Sequence, residues 1–150
     1  MRHGGSSMQE CPHYEVTNTE GKLKSILMVI IPHKNQRYDT VGDWIEPSPG
    51  QRMISVSDCG NEDSELLVGM HEIFEQHLCK KHGITQAQVD KWDMSFTGEG
   101  EPGEDPNCPY YQQHQDSTAV EKLACDLLGM SWENHERNLG VTNGSHSLPG

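Results

Sequence analysis

His71-Glu72-Ile73-Phe74-Glu75 stands at the centre of residues 64–82 (SELLVGMHEIFEQHLCKKH), and the rest of the chain divides around it. Leu66, Met70, Ile73, Phe74 and His77 recur at helical spacing and share the centre of one face. The stretch therefore predicts an amphipathic helix that opens near Asp63 or Ser64 and is stopped by Gly83. Residues four apart on a helix stand one turn apart on the same face. His71 and Glu75 can thus offer an imidazole nitrogen and a carboxylate oxygen to one metal ion from the margin of the apolar stripe. Glu72 is rotated away from that pair, where the general base stands in H-E-x-x-H helices.

Upstream, residues 22–32 (KLKSILMVIIP) form a β-rich apolar run ended by a proline, which reads as a central strand. Residues 33–43 (HKNQRYDTVGD) are polar and turn-rich, a loop, and Trp44-Ile45-Glu46 opens a second strand before the breaker Pro47-Ser48-Pro49-Gly50. Residues 51–58 (QRMISVSD) alternate, with Ile54 and Val56 on one side and Ser55 and Ser57 on the other. That is a half-buried strand suited to a sheet edge.

Downstream, Thr85 caps a short helix that runs to Trp92. Residues 96–113 (FTGEGEPGEDPNCPYYQQ) read as a long acidic loop, and loops of that length are functional or disordered. A further helix is expected from Thr118 to Leu128, with Thr118 and Glu121 spaced as a capping box and Gly129 closing it. Its apolar stripe would be Val120, Leu123, Ala124, Leu127 and Leu128. Residues 132–139 add a last short turn. The expected architecture is α+β: a small sheet, the H-E-x-x-E helix, an acidic loop and a second helix. Residues 1–13 read as a flexible extension, with Met8 as a natural start. Residues 14–139 read as one domain and residues 140–150 as a flexible tail.

At 150 residues the chain supports one core, and only 33% of it is apolar. Eleven basic against 23 acidic residues give a net charge of −12. That balance argues against nonspecific binding to nucleic acid or to anionic membranes, and suits a metal cation or a partner with a cationic surface. The longest apolar run, residues 26–31, is too short to span a bilayer. Five scattered cysteines without a C-x-x-C pair favour a reducing cytoplasm over a disulfide framework.

A catalytic metal centre needs a third protein ligand and an open position. His114 is the first choice, just ahead of the second helix. Glu121 is the runner-up, although its ordinary role would be the capping box, and Asp105 and Asp116 are reserves. His77 reads as a buried core histidine and Cys79 as a small core residue. Cys11-Pro12-His13 has no second pair to complete a zinc finger. His33, Arg37, Asp39 and Asp43 crowd one loop and could orient a substrate. There is no G-x-S-x-G, and the glycines near Glu99 are embedded in acid that would repel phosphate.

Several motifs in order carry a resemblance. They are Gln36-Arg37-Tyr38-Asp39, Gly42-Asp43-Trp44, Ser55-Val56-Ser57-Asp58, the H-E-x-x-E helix, Glu101-Pro102-Gly103-Glu104-Asp105-Pro106, Pro109-Tyr110 and Gln113-His114. Over residues 23–139 the chain resembles a family of small phage and prophage proteins. The resemblance implies a phage origin, and so a host cytoplasm, and one shared domain; it supplies no established reaction. The order of elements also resembles the minimal zincin-like arrangement, with Glu75 where a peptidase helix carries its second histidine.

The leading expectation is a zinc, or other divalent-metal, hydrolase of amide or peptide bonds. His71, Glu75 and His114 would hold the ion and Glu72 would act as general base. One alternative is a non-enzymatic acidic protein that binds a host factor, with at most a structural metal. Another is a Mg²⁺-dependent nucleotide pyrophosphohydrolase that uses Glu72 and Glu75 with Glu121 and Asp126.

Overall fold

The computed structural model describes the backbone of residues 22–147 and the side chains of residues 22–140. The expected extension at residues 1–13, with Met8, Cys11 and His13, lies outside the described residues. The fold is α+β. Three strands, β1 (Ser25–Ile31), β2 (Gly42–Ser48) and β3 (Gln51–Ser57), are followed by helices α1 (Glu62–Lys81), α2 (Gln86–Ser95), α3 (Tyr111–Leu127) and α4 (Trp132–Ser147).

The sheet order is β1-β3-β2. β2 and β3 form an antiparallel hairpin, and β3 inserts beside β1 in parallel register, Met28 opposite Ile54. This overturns the expected strand positions. The alternating strand β3 is the central one, and the apolar run β1 lies at an edge, where Leu27 is 56% exposed. The short connection from Ser48 to Gln51 makes β2 and β3 neighbours, and β1 takes the other side of β3.

α1 packs across β2 and β3. Asn61 caps its first turn by accepting from the Ser64 N–H at 2.9 Å. At its end Gly83 has φ +73°, and the Ile84 N–H reaches back to the Cys79 carbonyl at 2.9 Å. That is a Schellman stop, repeated at Gly129 after α3. Trp44, Ile54, Val56, Val68, Cys79 and Val89 form the apolar core between sheet and helices. Burying a side chain such as Ile54 completely contributes about 1.5–3 kcal/mol.

Three expectations about the helices change. Thr85 caps α2 through a capping box with Gln88, as expected, but that helix extends to Ser95. α3 starts at Tyr111, seven residues before Thr118, and a 3-10 turn at Pro102–Glu104 breaks up the expected loop. Thr118 is therefore inside the helix and forms no capping box with Glu121. α4 continues to Ser147 instead of stopping at residue 139, so most of the expected tail is helical.

The buried faces also differ from the apolar stripes. On α1 the buried residues include Leu67, Val68, His71, Glu75 and Cys79, while Leu66 is 45% exposed. His77 is exposed, with the buried Arg52 guanidinium donating to its Nδ1 at 3.1 Å. On α3 the buried residues are His114, Ser117, Glu121 and Cys125, while Leu123 and Leu127 point outward. Among the described residues no helix is long and apolar enough to cross a membrane, and Cys59, Cys79, Cys108 and Cys125 are unbridged.

Candidate metal centre

α1 and α3 lie side by side, and their shared seam is polar. His71 and Glu75, one turn apart on α1, are only 5% and 4% exposed. Because α3 begins at Tyr111, His114 sits in its first turn and faces them, also 5% exposed. His71 Nε2 lies 3.3 Å from Glu75 Oε2 and 3.3 Å from His114 Nδ1, and His114 Nδ1 lies 2.9 Å from Glu75 Oε2. Zinc bonds of about 2.0–2.1 Å at tetrahedral angles place neighbouring ligand atoms about 3.3 Å apart. The three atoms thus already outline one face of such a tetrahedron, each offering one ligand atom. The fold brings the three predicted residues together, and Glu101, Glu104 and His114 form a second such group at the exposed side.

Each of them is held from behind. His71 Nδ1 lies 2.9 Å from Glu121 Oε1, and the other Glu121 oxygen lies 2.5 Å from Nε2 of His135. His135, fully buried on α4, has its Nδ1 2.9 Å from Ser64 Oγ, which also accepts from Asn138 at 3.0 Å. Trp44 Nε1 donates to Glu75 Oε1 at 3.0 Å. His114 Nε2 lies 3.5 Å from Glu101 Oε1. A carboxylate behind a ligating histidine fixes its tautomer and ring orientation. Glu121 thus stands behind His71, with both of its oxygens engaged by histidines.

Two glycines admit this packing. A Cβ on Gly103 would stand 2.5 Å from Cγ of His114, and one on Gly42 would stand 2.8 Å from Cγ of Glu72. Trp92 Nε1 donates to the Pro102 carbonyl at 2.9 Å and pins the 3-10 turn against His114.

The charges follow from burial and pairing. Burial alone would raise Glu75, but hydrogen bonds from His114 and His71 bring it down to about 2. Burial works against protonation of His71, yet Glu121 and Glu75 hold its pKa well above the ordinary value. Glu121 is lowered: burial opposes the shift, and His135 and His71 outweigh it. Glu72 is raised well above the ordinary carboxylate value by burial and then by the Glu75 charge. Among the described residues Glu72 has no hydrogen-bond partner, and it lines a small cleft together with Glu75 and His114.

The remaining sequence candidates lie elsewhere. Asp105 caps its own turn by accepting from the Asn107 N–H at 2.8 Å. Asp116 is exposed and accepts from Gln112 at 2.9 Å. Asp126 is exposed, and both Glu121 oxygens are engaged by histidines, so the acidic quartet expected for Mg²⁺ is not assembled. In the loop after β1, His33 lies between Ser57 Oγ at 2.8 Å and Asp39 Oδ1 at 3.0 Å, away from the seam. Arg37 clamps Asp43 and Asp90, and Tyr38 donates to Asp93, so Asp43 and Tyr38 reach the cleft wall.

The fold adds His135 to the candidate set. No spacing in the sequence links it to Glu121, fourteen residues earlier across a Gly129 turn; only the packing of α4 against α3 and α1 does so. Comparison with protein families, with curated proteins and with solved structures returned no match, so the site is read from its own geometry.

Proposed function

We propose that this protein is a zincin-like hydrolase of amide or peptide bonds that works with zinc or a similar divalent ion. The observation that carries this reading is the ligand triangle of His71 Nε2, Glu75 Oε2 and His114 Nδ1, with edges of 3.3, 3.3 and 2.9 Å. A bound zinc ion supplies Lewis acidity and brings the pKa of its water to about 7. Glu72, adjacent in sequence to His71 and without a partner, faces the cleft where it can take a proton from the attacking water. Glu121, backed by His135, keeps the His71 ring turned toward the triangle. Trp44 fixes the Glu75 carboxylate by holding its second oxygen.

Element order supports the zincin-like reading, with a sheet ahead of the metal-bearing helix and a later helix completing the site. The resemblance to small phage proteins and the unpaired cysteines suit the cytoplasm, which for a phage protein is that of the host. The Mg²⁺ pyrophosphohydrolase reading loses support because its acidic quartet is dispersed.

The test is metal content by mass spectrometry on protein purified without chelator, parent beside His71→Ala. The expected result is about one zinc per parent chain and its loss in the variant. Equal metal in both would overturn the reading. Metal without cleavage in a broad peptide-amide screen would favour the non-enzymatic, host-factor alternative.

A further inference from the structure

Acidic residues outnumber basic ones 23 to 11, yet five of the 11 gather where β3 begins: Lys22, Lys24, Arg52, Lys80 and Lys81. Lys80 and Lys81 close α1, and Arg52 is the second residue of β3. The β2–β3 turn holds the other two in place. The Lys24 N–H donates to the Gly50 carbonyl at 2.8 Å, and a Cβ on Gly50 would stand 2.0 Å from the Lys22 carbonyl oxygen. Glu46 brings a carboxylate to this corner, but it is taken. Its Oε2 accepts from the Gly50 N–H at 2.9 Å, and its two oxygens accept from Lys80 at 3.3 and 3.1 Å. Lys22, Lys24 and Lys81 are exposed.

Arg52 is the buried member, 4% exposed and paired with Ile26 across the sheet. Its NH1 donates to His77 Nδ1 on α1 at 3.1 Å. Among the described residues the guanidinium makes no ion pair, and its Nε is buried without a partner. A buried charge left unmatched costs stability, so an arginine here needs another reason. Because a guanidinium only donates, His77 Nδ1 accepts and the ring hydrogen sits on Nε2. His77 is exposed, so that N–H is offered outward, one turn from Lys81. We propose that this corner binds a phosphate group. His77 Nε2–H, Lys81 and Lys24 meet its oxygens, and Arg52 supplies the unmatched positive charge behind them. A phosphate carries more charge and more acceptor oxygens than a single carboxylate, which suits several donors on separate elements. The net charge of −12 repels a long polyanion, so the fitting ligand is a small phosphate, not a nucleic acid. None of these residues belongs to the ligand triangle, and the assignment does not rest on the hydrolase reading.

The test is thermal unfolding of the full chain in inorganic phosphate against sodium chloride at equal ionic strength. Saturating phosphate should raise Tm by about 3 °C or more beyond chloride. Arg52→Met should abolish that rise while leaving Tm in chloride equal or higher, since an apolar side chain of similar length replaces an unmatched buried charge. A merely structural Arg52 would instead lower Tm in both salts. Lys81→Gln, an exposed change, should weaken the phosphate response without altering Tm in chloride. The response should persist in His71→Ala; its loss there would move the phosphate to the ligand triangle and overturn the assignment. Glycerol phosphate identifies the source: an equal response means a phosphate carried on a larger molecule, and a response to inorganic phosphate alone means the free ion. Equal Tm in phosphate and chloride, or an undiminished response in Arg52→Met, would overturn the site. Binding to phosphatidic-acid vesicles with no response to inorganic phosphate would overturn it in favour of a membrane surface.

Discussion

α1 buries two unlike surfaces. Toward the sheet it lays Val68 and Cys79 against Trp44, Ile54 and Val56, an ordinary apolar core. Toward α3 it buries His71 and Glu75 against His114 and Glu121, while Leu123 and Leu127 on α3 stand 62% and 78% exposed. A helix pair held by apolar packing would be rotated the other way, with the leucines inside. Burying charged groups costs several kcal/mol each unless they are paired and hydrogen-bonded. Here each buried histidine finds a carboxylate and each carboxylate oxygen finds a donor. The contrast teaches that the core holds the fold together, whereas the seam is specified by pairing.

The sharpest way to break this contrast is Glu75→Ala. It removes the acceptor shared by His71, His114 and Trp44. Urea unfolding of the metal-free variant should show a loss of about 3–5 kcal/mol, the usual cost of breaking a buried ionic cluster. A loss below about 1 kcal/mol would mean that the seam is not held by pairing.

Next in size is Gly103→Ala, whose added Cβ would collide with the His114 ring. Zinc affinity, measured by competition with a chromophoric chelator, should fall by about ten- to a hundredfold. Unchanged affinity would show that the 3-10 turn yields and does not position His114. His135→Gln probes the outermost layer: it should lower zinc affinity about tenfold by loosening Glu121 and, through it, His71.

A smaller effect is expected at the cleft wall. Burial raises Asp93 to about 6, and hydrogen bonds from Tyr110 and Tyr38 only partly offset this. A carboxyl whose folded pKa exceeds its unfolded value of 3.8 binds protons more tightly in the native state. Its contribution to stability therefore declines as pH rises from about 4 to about 6 and stays low above that. Asp93→Asn lacks this titration, so the variant-minus-parent difference in Tm should be more positive at pH 7 than at pH 4.5. A pH-independent difference would contradict the shift.

The smallest effect should come from Leu127→Ala. Equilibrium unfolding should change by no more than about 0.5 kcal/mol, as for other exposed positions. A loss of about 2 kcal/mol would mean that the outward face of α3 is covered in solution.

Much of the site was legible in the sequence for a local reason. His71 and Glu75 are four residues apart in a segment with strong helix punctuation, so their shared face follows from helix geometry alone. His114 was within reach as a candidate because it lies close to a second helix. What misled was hydrophobic periodicity. Leu66 and Phe74 on α1, and Leu123 and Leu127 on α3, form the more obvious stripes, yet they face outward. The Thr118–Glu121 spacing matched a capping box, but the true helix start at Tyr111 freed Glu121 for His71 and His135. His135 itself had no local mark, because its partners Ser64 and Glu121 lie 71 and 14 residues away.

The sequence by itself determined an α+β chain with a capped α2, glycine stops after α1 and α3, and an H-E-x-x-E face aimed in one direction, because such signals act within a few residues. Only the tertiary structure decided which face of each helix is buried, that β3 rather than β1 is central, and which residue stands behind each member of the candidate triangle. Those outcomes depend on which polar atoms two packed helices bring within about 3 Å, and pairing at that distance is a property of the assembled fold.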